Sequence, residues 1–129
     1  MNMTNTSIEP VRLAVDEAAI QRYARITGDY NPIHVDAEFA AKTEMGGVIA
    51  HGTMSMNLIW QALEQSLGPH VLPRIELDVR FRRPVRPGDV IEGGGEPDDT
   101  GSGYHVWARN QRGEAVIEGT ARLGLADRS

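Results

Sequence analysis

Gly52-Thr53-Met54-Ser55-Met56-Asn57-Leu58-Ile59-Trp60-Gln61-Ala62-Leu63-Glu64-Gln65-Ser66-Leu67 reads as a helix with almost no solvent face. Met54, Met56, Leu58, Ile59, Trp60, Ala62, Leu63 and Leu67 take up most of its circumference, and Asn57, Gln61, Glu64 and Gln65 form a narrow polar edge. A helix that is apolar nearly all round has to be wrapped by other elements. The second half of the chain supplies the wrapping. Ile75, Leu77, Val79 and Phe81 alternate strictly with Arg74, Glu76, Asp78, Arg80 and Arg82, the period of two expected of a strand with one buried face. Val90 to Gly94, Tyr104 to Asn110 and Ala115 to Leu125 read as further strands, with a tight hairpin at Gln111-Arg112-Gly113 and a looser turn from Pro97 to Gly103. The expected class is α+β: a long central helix wrapped by a curved antiparallel sheet.

Ahead of that helix, Pro10 to Leu13 reads as a short strand. Asp16 suits the N-cap of a helix whose inward stripe is Ile20, Tyr23, Ala24 and Thr27, and Gly28 ends it. There follows Thr27-Gly28-Asp29-Tyr30-Asn31-Pro32-Ile33-His34-Val35-Asp36. Pro32 fixes its own backbone and pushes Asn31 out of the helical region, so the expectation here is a stiff turn. Such a turn can aim the carboxylate of Asp29 and the imidazole of His34 at one point, where they hold a water and move protons near neutral pH. Either residue alone is more often a cap or a satisfied polar group; the pair on one loop reverses that reading. Asp36 to Lys42 reads as a short helix with Phe39 as its apolar anchor.

The 129 residues include no cysteine, are 40% hydrophobic and carry a formal net charge of −5. A chain of this length buries roughly two thirds of the surface it exposes when unfolded, so one domain over 9–129, preceded by a flexible stretch over 1–8, is expected. Without cysteine there is no disulfide scaffold, thiolate nucleophile or cysteine metal site. The acidic balance argues against nucleic-acid binding, although twelve of the thirteen basic residues are arginine. No apolar run approaches the ~20 residues that span a bilayer, and Met1 to Ser7 lacks the basic-then-apolar order of a signal peptide. A cytoplasmic protein with no membrane association is the expectation.

The Asp29 to Asp36 loop, the Gly46-Gly47-Val48-Ile49-Ala50-His51-Gly52 entry to the long helix, and Arg80-Phe81-Arg82-Arg83-Pro84-Val85-Arg86-Pro87-Gly88-Asp89 together resemble the MaoC-like or (R)-specific enoyl-CoA hydratase family. The resemblance implies a hot-dog fold and a homodimer that joins two sheets into one, with no metal and no cofactor. It also implies an acyl-CoA or acyl-carrier-protein thioester as substrate, with (R)-specific hydration of 2-enoyl thioesters and the reverse dehydration of 3-hydroxyacyl thioesters. Asp29 and His34 are then catalytic, with a water between them, and the glycine after His51 serves the substrate.

Hydration of a 2-enoyl thioester requires a base for water, an acid for the α-carbon and a donor for the enolate charge on the thioester oxygen. Asp29 is assigned as the base and His34 as the group that orients water and relays the proton, a division that a coupled pair can share. Gly52 meets the third requirement: a helix N-terminus offers unpaired N–H groups, and glycine lets a ligand come close. The substrate-binding candidates are Asn31, Gly47, Trp60 and Arg83. Asn31 suits fixing the loop better than touching substrate. Gly47 reads equally as a ligand contact or as room for a cramped chain. Trp60 stands where some relatives carry a small polar residue, and its indole either shortens the acyl tunnel or fills core volume. Arg83 is a candidate for coenzyme A phosphates or an acidic carrier protein, whereas Arg80 reads as an ordinary outward strand residue. His51 is read as structural and left outside the catalytic set. Asp29, His34, His51 and Asp36 match no metal motif by spacing. The competing functions are a hot-dog acyl-CoA thioesterase and a non-catalytic subunit of a heteromeric dehydratase.

Overall fold

The computed structural model describes residues 6–124. Of the flexible stretch expected over 1–8, residues 1–5 lie outside the described residues, as does Leu125 at the end of the last expected strand. The first strand, β1 (Ile8–Ala14), starts earlier than the sequence suggests, and Ile8 belongs to the core at 8% exposure. Helix α1 (Glu17–Thr27) is bounded as expected: the Asp16 carboxylate accepts the Ala19 N–H at 2.7 Å, and Gly28, with φ 74°, donates its N–H to the Ala24 carbonyl at 2.8 Å.

The Asn31-Pro32 pair does more than turn the chain. Pro32 opens a one-turn helix, α2 (Pro32–Val35), in which its missing N–H costs nothing because the first N–H groups of a helix have no internal partner. Asn31 caps it by accepting the Ile33 N–H at 3.2 Å. Helix α3 (Ala37–Ala41) follows, capped by Asp36, whose carboxylate accepts the Phe39 N–H at 3.0 Å. Phe39 is not its anchor. So short a helix has room for one inward position, and Ala40 takes it at 0% exposure while Phe39 stays 48% exposed.

Helix α4 (Gly52–Leu67) buries Met54, Ser55, Leu58, Ile59, Ala62, Leu63 and Leu67 and leads through a 3-10 turn (Pro69–Arg74) into β2 (Ile75–Phe81). The strands β3 (Val90–Pro97), β4 (Gly103–Arg109) and β5 (Ala115–Leu123) complete one antiparallel sheet in the order β1-β3-β4-β5-β2. β3 continues past Gly94 to Pro97, because pairing with β1 and β4 on both sides offsets the poor strand propensity of its three glycines. One of those glycines sets the helix in place. A Cβ on Gly93 would stand 2.6 Å from the Leu58 backbone, so α4 can lie this close to β3 only because Gly93 has none. The result is a hot-dog architecture.

The helix does not cover the sheet evenly. It lies over β1 and β3, touches β4 and barely reaches β5. The inner face of β2 is therefore left partly bare: Ile75, Leu77 and Val79 are half-buried and Phe81 is 56% exposed, on a strand whose outer edge has no partner among the described residues. Among the described residues, no helix is long and apolar enough to cross a membrane.

Candidate active site

Three segments meet at the entrance to α4. Asp29 follows the αL cap of α1, its carboxylate accepts the Asn31 N–H at 3.1 Å, and its own N–H bonds the Thr27 hydroxyl at 3.2 Å. His34, on α2, directs Nδ1 to the Ile49 carbonyl at 2.8 Å, and the Ile49 N–H bonds back to the Ile33 carbonyl at 3.2 Å. The Ala50 N–H then bonds the Val85 carbonyl at 2.8 Å, tying the helix entrance to the turn after β2. His51 is 2% exposed and directs Nε2 to the backbone carbonyl of Asp29 at 2.9 Å. Its ring stacks on that of His34, centroids 4.0 Å apart and planes at 27°, and meets the Tyr23 ring edgewise at 4.9 Å. Tyr23 in turn bonds the Thr53 hydroxyl at 2.7 Å and accepts from Asn57 at 3.3 Å, holding α1 to α4.

These bonds fix the chemistry of the two imidazoles. A carbonyl only accepts, so His34 carries its proton on Nδ1 and, when neutral, has its lone pair on Nε2; His51 carries its proton on Nε2, leaving a buried Nδ1 without a protein partner. One ligand atom from each of Asp29, His34 and His51 lies within 4.8 Å of the others. By distance alone this is a candidate metal set. Two imidazoles sharing an ion converge on it along their ring planes, however, and stacked rings do not, so the arrangement suits proton transfer better. Asp36 is absent from this cluster because its carboxylate caps α3.

Two members of the cluster, His34 and His51, line a cavity of about 320 Å³; Asp29 is not part of its lining. Buried Ala50, Ser55, Val85 and Val116 form its floor, and exposed Phe81 and Arg83 stand on its rim. Gly52 lines it at the first position of α4, where His51 provides no side-chain cap. The N–H groups of the first turn therefore face the cavity end of a 16-residue helix, where the dipole favours negative charge. A wider depression of about 520 Å³ lies on the other face of the sheet between Arg80, Arg109, Trp107, Glu96 and Glu118. It mixes charges of both signs on a solvated face, and its imidazole, His105 opposite Glu96, stands on β4 and not at a helix end, so the smaller cavity is the candidate site.

Of the residues singled out in the sequence, His34, Gly52 and Arg83 line the cavity, and Asp29 lies within reach of His34 without lining it. Arg83 is held by Glu114 at 3.6 Å and by the Ala115 carbonyl at 3.3 Å. The Glu114 carboxyl lies below the usual carboxylate range, chiefly through its hydrogen bond from Asn110 and then that from Arg112. Asn31 caps α2, Gly47 lies beside the Arg86 guanidinium, and Trp60 packs on the core cluster; none of the three lines this cavity. Of the other polar side chains that line the cavity, His51 reads as structural in the sequence, and Arg82 and Ser55 are not site candidates there. His51 joins Asp29 to His34, and the sequence signal for it was a histidine at an N-cap position, a place that Ser, Thr, Asp or Asn would serve better. Ser55 was hidden among the methionines around it.

Comparison with known proteins agrees with this fold. Over 85 residues the chain is 40% identical to the 3-hydroxybutyryl-CoA dehydratase of Methylorubrum extorquens, a match that covers 65% of this chain and 54% of that protein. Over 78 residues it is 33% identical to the (R)-specific enoyl-CoA hydratase of Rhodospirillum rubrum, covering 60% and 54%. The matched stretch thus spans about half the length of these curated relatives. Among solved structures, the R-hydratase PhaJ1 from Pseudomonas aeruginosa superposes with a TM-score of 0.72 at 29% identity, over 89% of this chain and 77% of that one. The (R)-hydratase of A. caviae gives 0.70 at 25% identity, over 92% and 96%. Residues 2–123 match the model of the MaoC-like domain, nearly the whole length, and the chain accordingly belongs to the MaoC-like dehydratase family.

Proposed function

We propose that the chain hydrates trans-2-enoyl thioesters to (R)-3-hydroxyacyl thioesters and catalyses the reverse dehydration, with Asp29 and His34 as the acid/base pair. The supporting observation is that two proton acceptors, the Asp29 carboxylate and neutral His34, come within 4.8 Å of each other, and that His34 lines one cavity with the uncapped N-terminus of α4. A water between two acceptors donates one hydrogen to each and turns its own lone pair toward the β-carbon. As the new O–C bond forms, one O–H proton passes to the pair. The α,β π-electrons move toward the thioester oxygen, where the Gly52 N–H and the helix dipole meet the enolate charge. The enolate then takes the proton back at the α-carbon, so water's hydroxyl ends on one carbon and its hydrogen on the other. Asp29 is the base in this scheme and His34 holds and relays. Chiral analysis of the product from crotonyl-CoA tests the reading: the (R)-3-hydroxybutyryl ester is expected, and the (S) ester or a racemate contradicts it.

Arg83 on the rim is positioned to meet the phosphates of coenzyme A or of a carrier-bound pantetheine. The half-bare face and free edge of β2 fit a homodimer in which two β2 edges pair; light scattering should give twice the 14.1 kDa chain mass, and a monomer at working concentration removes this part. Trp60 is proposed to limit acyl length by filling space along α4, since an indole that fills a tunnel counts as core and not as wall. Trp60→Ala should raise kcat/KM for a C8 enoyl-CoA relative to crotonyl-CoA while costing about 2 to 3 kcal/mol of stability. Destabilisation with an unchanged ratio makes Trp60 packing alone.

A further inference from the structure

Besides the His51 imidazole, the buried wall of the cavity carries one polar side chain that the reaction does not use. Ala50, Val85 and Val116 are 5%, 4% and 2% exposed and present only methyl groups; Ser55, on α4 one turn in from Gly52, is 2% exposed and lines the same floor. Its hydroxyl makes no hydrogen bond with any described residue. A helical serine ordinarily turns its hydroxyl back onto the carbonyl four residues earlier. Here it does not, and it is not sealed off from the cavity either, because the fully enclosed unpartnered side-chain atoms among the described residues belong to His51 and Arg74. The hydroxyl therefore faces the contents of the cavity. A polar group in an apolar wall is unfavourable until something pairs with it, and no described residue pairs with it.

Position decides which part of a substrate it meets. With the thioester at Gly52 and the dyad, and the carrier leaving past Arg83 on the rim, the acyl chain beyond C3 is the part that lies on the floor. We infer that Ser55 is a specificity-determining residue that hydrogen-bonds a neutral polar substituent, a hydroxyl or carbonyl oxygen, carried on the acyl chain beyond C3. A carboxylate is a poor match at Ser55 itself, since the cavity's two guanidinium groups belong to the exposed Arg82 and Arg83 and burying the charge among Ala50, Val85 and Val116 is unfavourable. An unsubstituted chain leaves the hydroxyl unpaired, and a site built to bond a substrate oxygen rejects the analogue that lacks it. This inference rests on the hydration reading above.

The test compares 4-hydroxybut-2-enoyl-CoA and 5-hydroxypent-2-enoyl-CoA with their methyl isosteres, pent-2-enoyl-CoA and hex-2-enoyl-CoA, in the parent and in Ser55→Ala. Alanine is favoured in a helix and removes only the hydroxyl, so the variant folds. The parent should prefer a hydroxylated ester over its isostere by about tenfold or more in kcat/KM, and Ser55→Ala should lose that preference mainly by gaining on the isostere. Absence of a preference in the parent, or its persistence in Ser55→Ala, overturns the inference. An equal fall in kcat on every ester also overturns it, because the hydroxyl would then act at the thioester. A parent that hydrates none of the esters removes the proposed function and this inference together, whereas one that hydrates them all alike removes this inference alone.

Discussion

Asp29→Asn yields a folded chain whose hydration of crotonyl-CoA is at least about a hundredfold slower than the parent's, the lower end for loss of a positioned acid or base. Asparagine retains an oxygen to accept the Asn31 N–H, so the loop that presents it is preserved while the carboxylate's basicity is lost. His34→Ala should reach a similar deficit, but it also strips the Ile49 carbonyl of its partner and the His51 ring of its stack. Asp29→Asn is therefore the cleaner variant. Circular dichroism establishes the fold and steady-state kinetics the loss; near-normal turnover in either variant removes the dyad assignment.

Gly52→Ala is expected to lower kcat by roughly 10² to 10³, the range for losing one donor to a developing oxyanion. The reason is steric. The added Cβ would stand 2.7 Å from Cε2 of Phe81 and would occupy the approach to the helix N–H groups. The Phe81 ring is the free end of a 56% exposed side chain and can swing away, so the fold tolerates the change. That mobility permits a control: Phe81→Leu alone, and Gly52→Ala combined with Phe81→Leu. If the methyl blocks the thioester oxygen, the double variant remains as slow as Gly52→Ala. Recovery of activity in the double variant means that the loss came through the displaced ring, and the donor role of Gly52 falls.

Features set by local chemistry were legible in the sequence. The near-complete apolar girdle of α4, the strict alternation of β2 and the caps at Asp16 and Gly28 each follow from a few neighbouring residues. The Asp29 to His34 loop was legible for the same reason, because an Asn-Pro pair constrains the backbone on its own. What depended on distant partners was not. β3 reads as ending at Gly94, since its glycines are tolerated only through pairing with β1 and β4. Phe39 reads as an anchor because size suggests burial, yet the space under α3 admits only a methyl at Ala40. His51 reads as a structural hydrogen-bonding residue and is one, but its partner, the Asp29 carbonyl 22 residues earlier, is a contact created by the fold. On a helix that is apolar nearly all round, composition cannot tell a residue facing a cavity from one facing the core, and so Ser55 and Trp60 escape the pattern.

The most direct test of the account follows purified protein with crotonyl-CoA, recording loss of the conjugated enoyl absorbance and appearance of free thiol in the same reaction. Hydration at Asp29 and His34 predicts loss of the absorbance to an equilibrium with no thiol released. Thiol released in step with consumption of the ester would contradict it, because water would then be attacking the carbonyl carbon and the site would be that of a thioesterase.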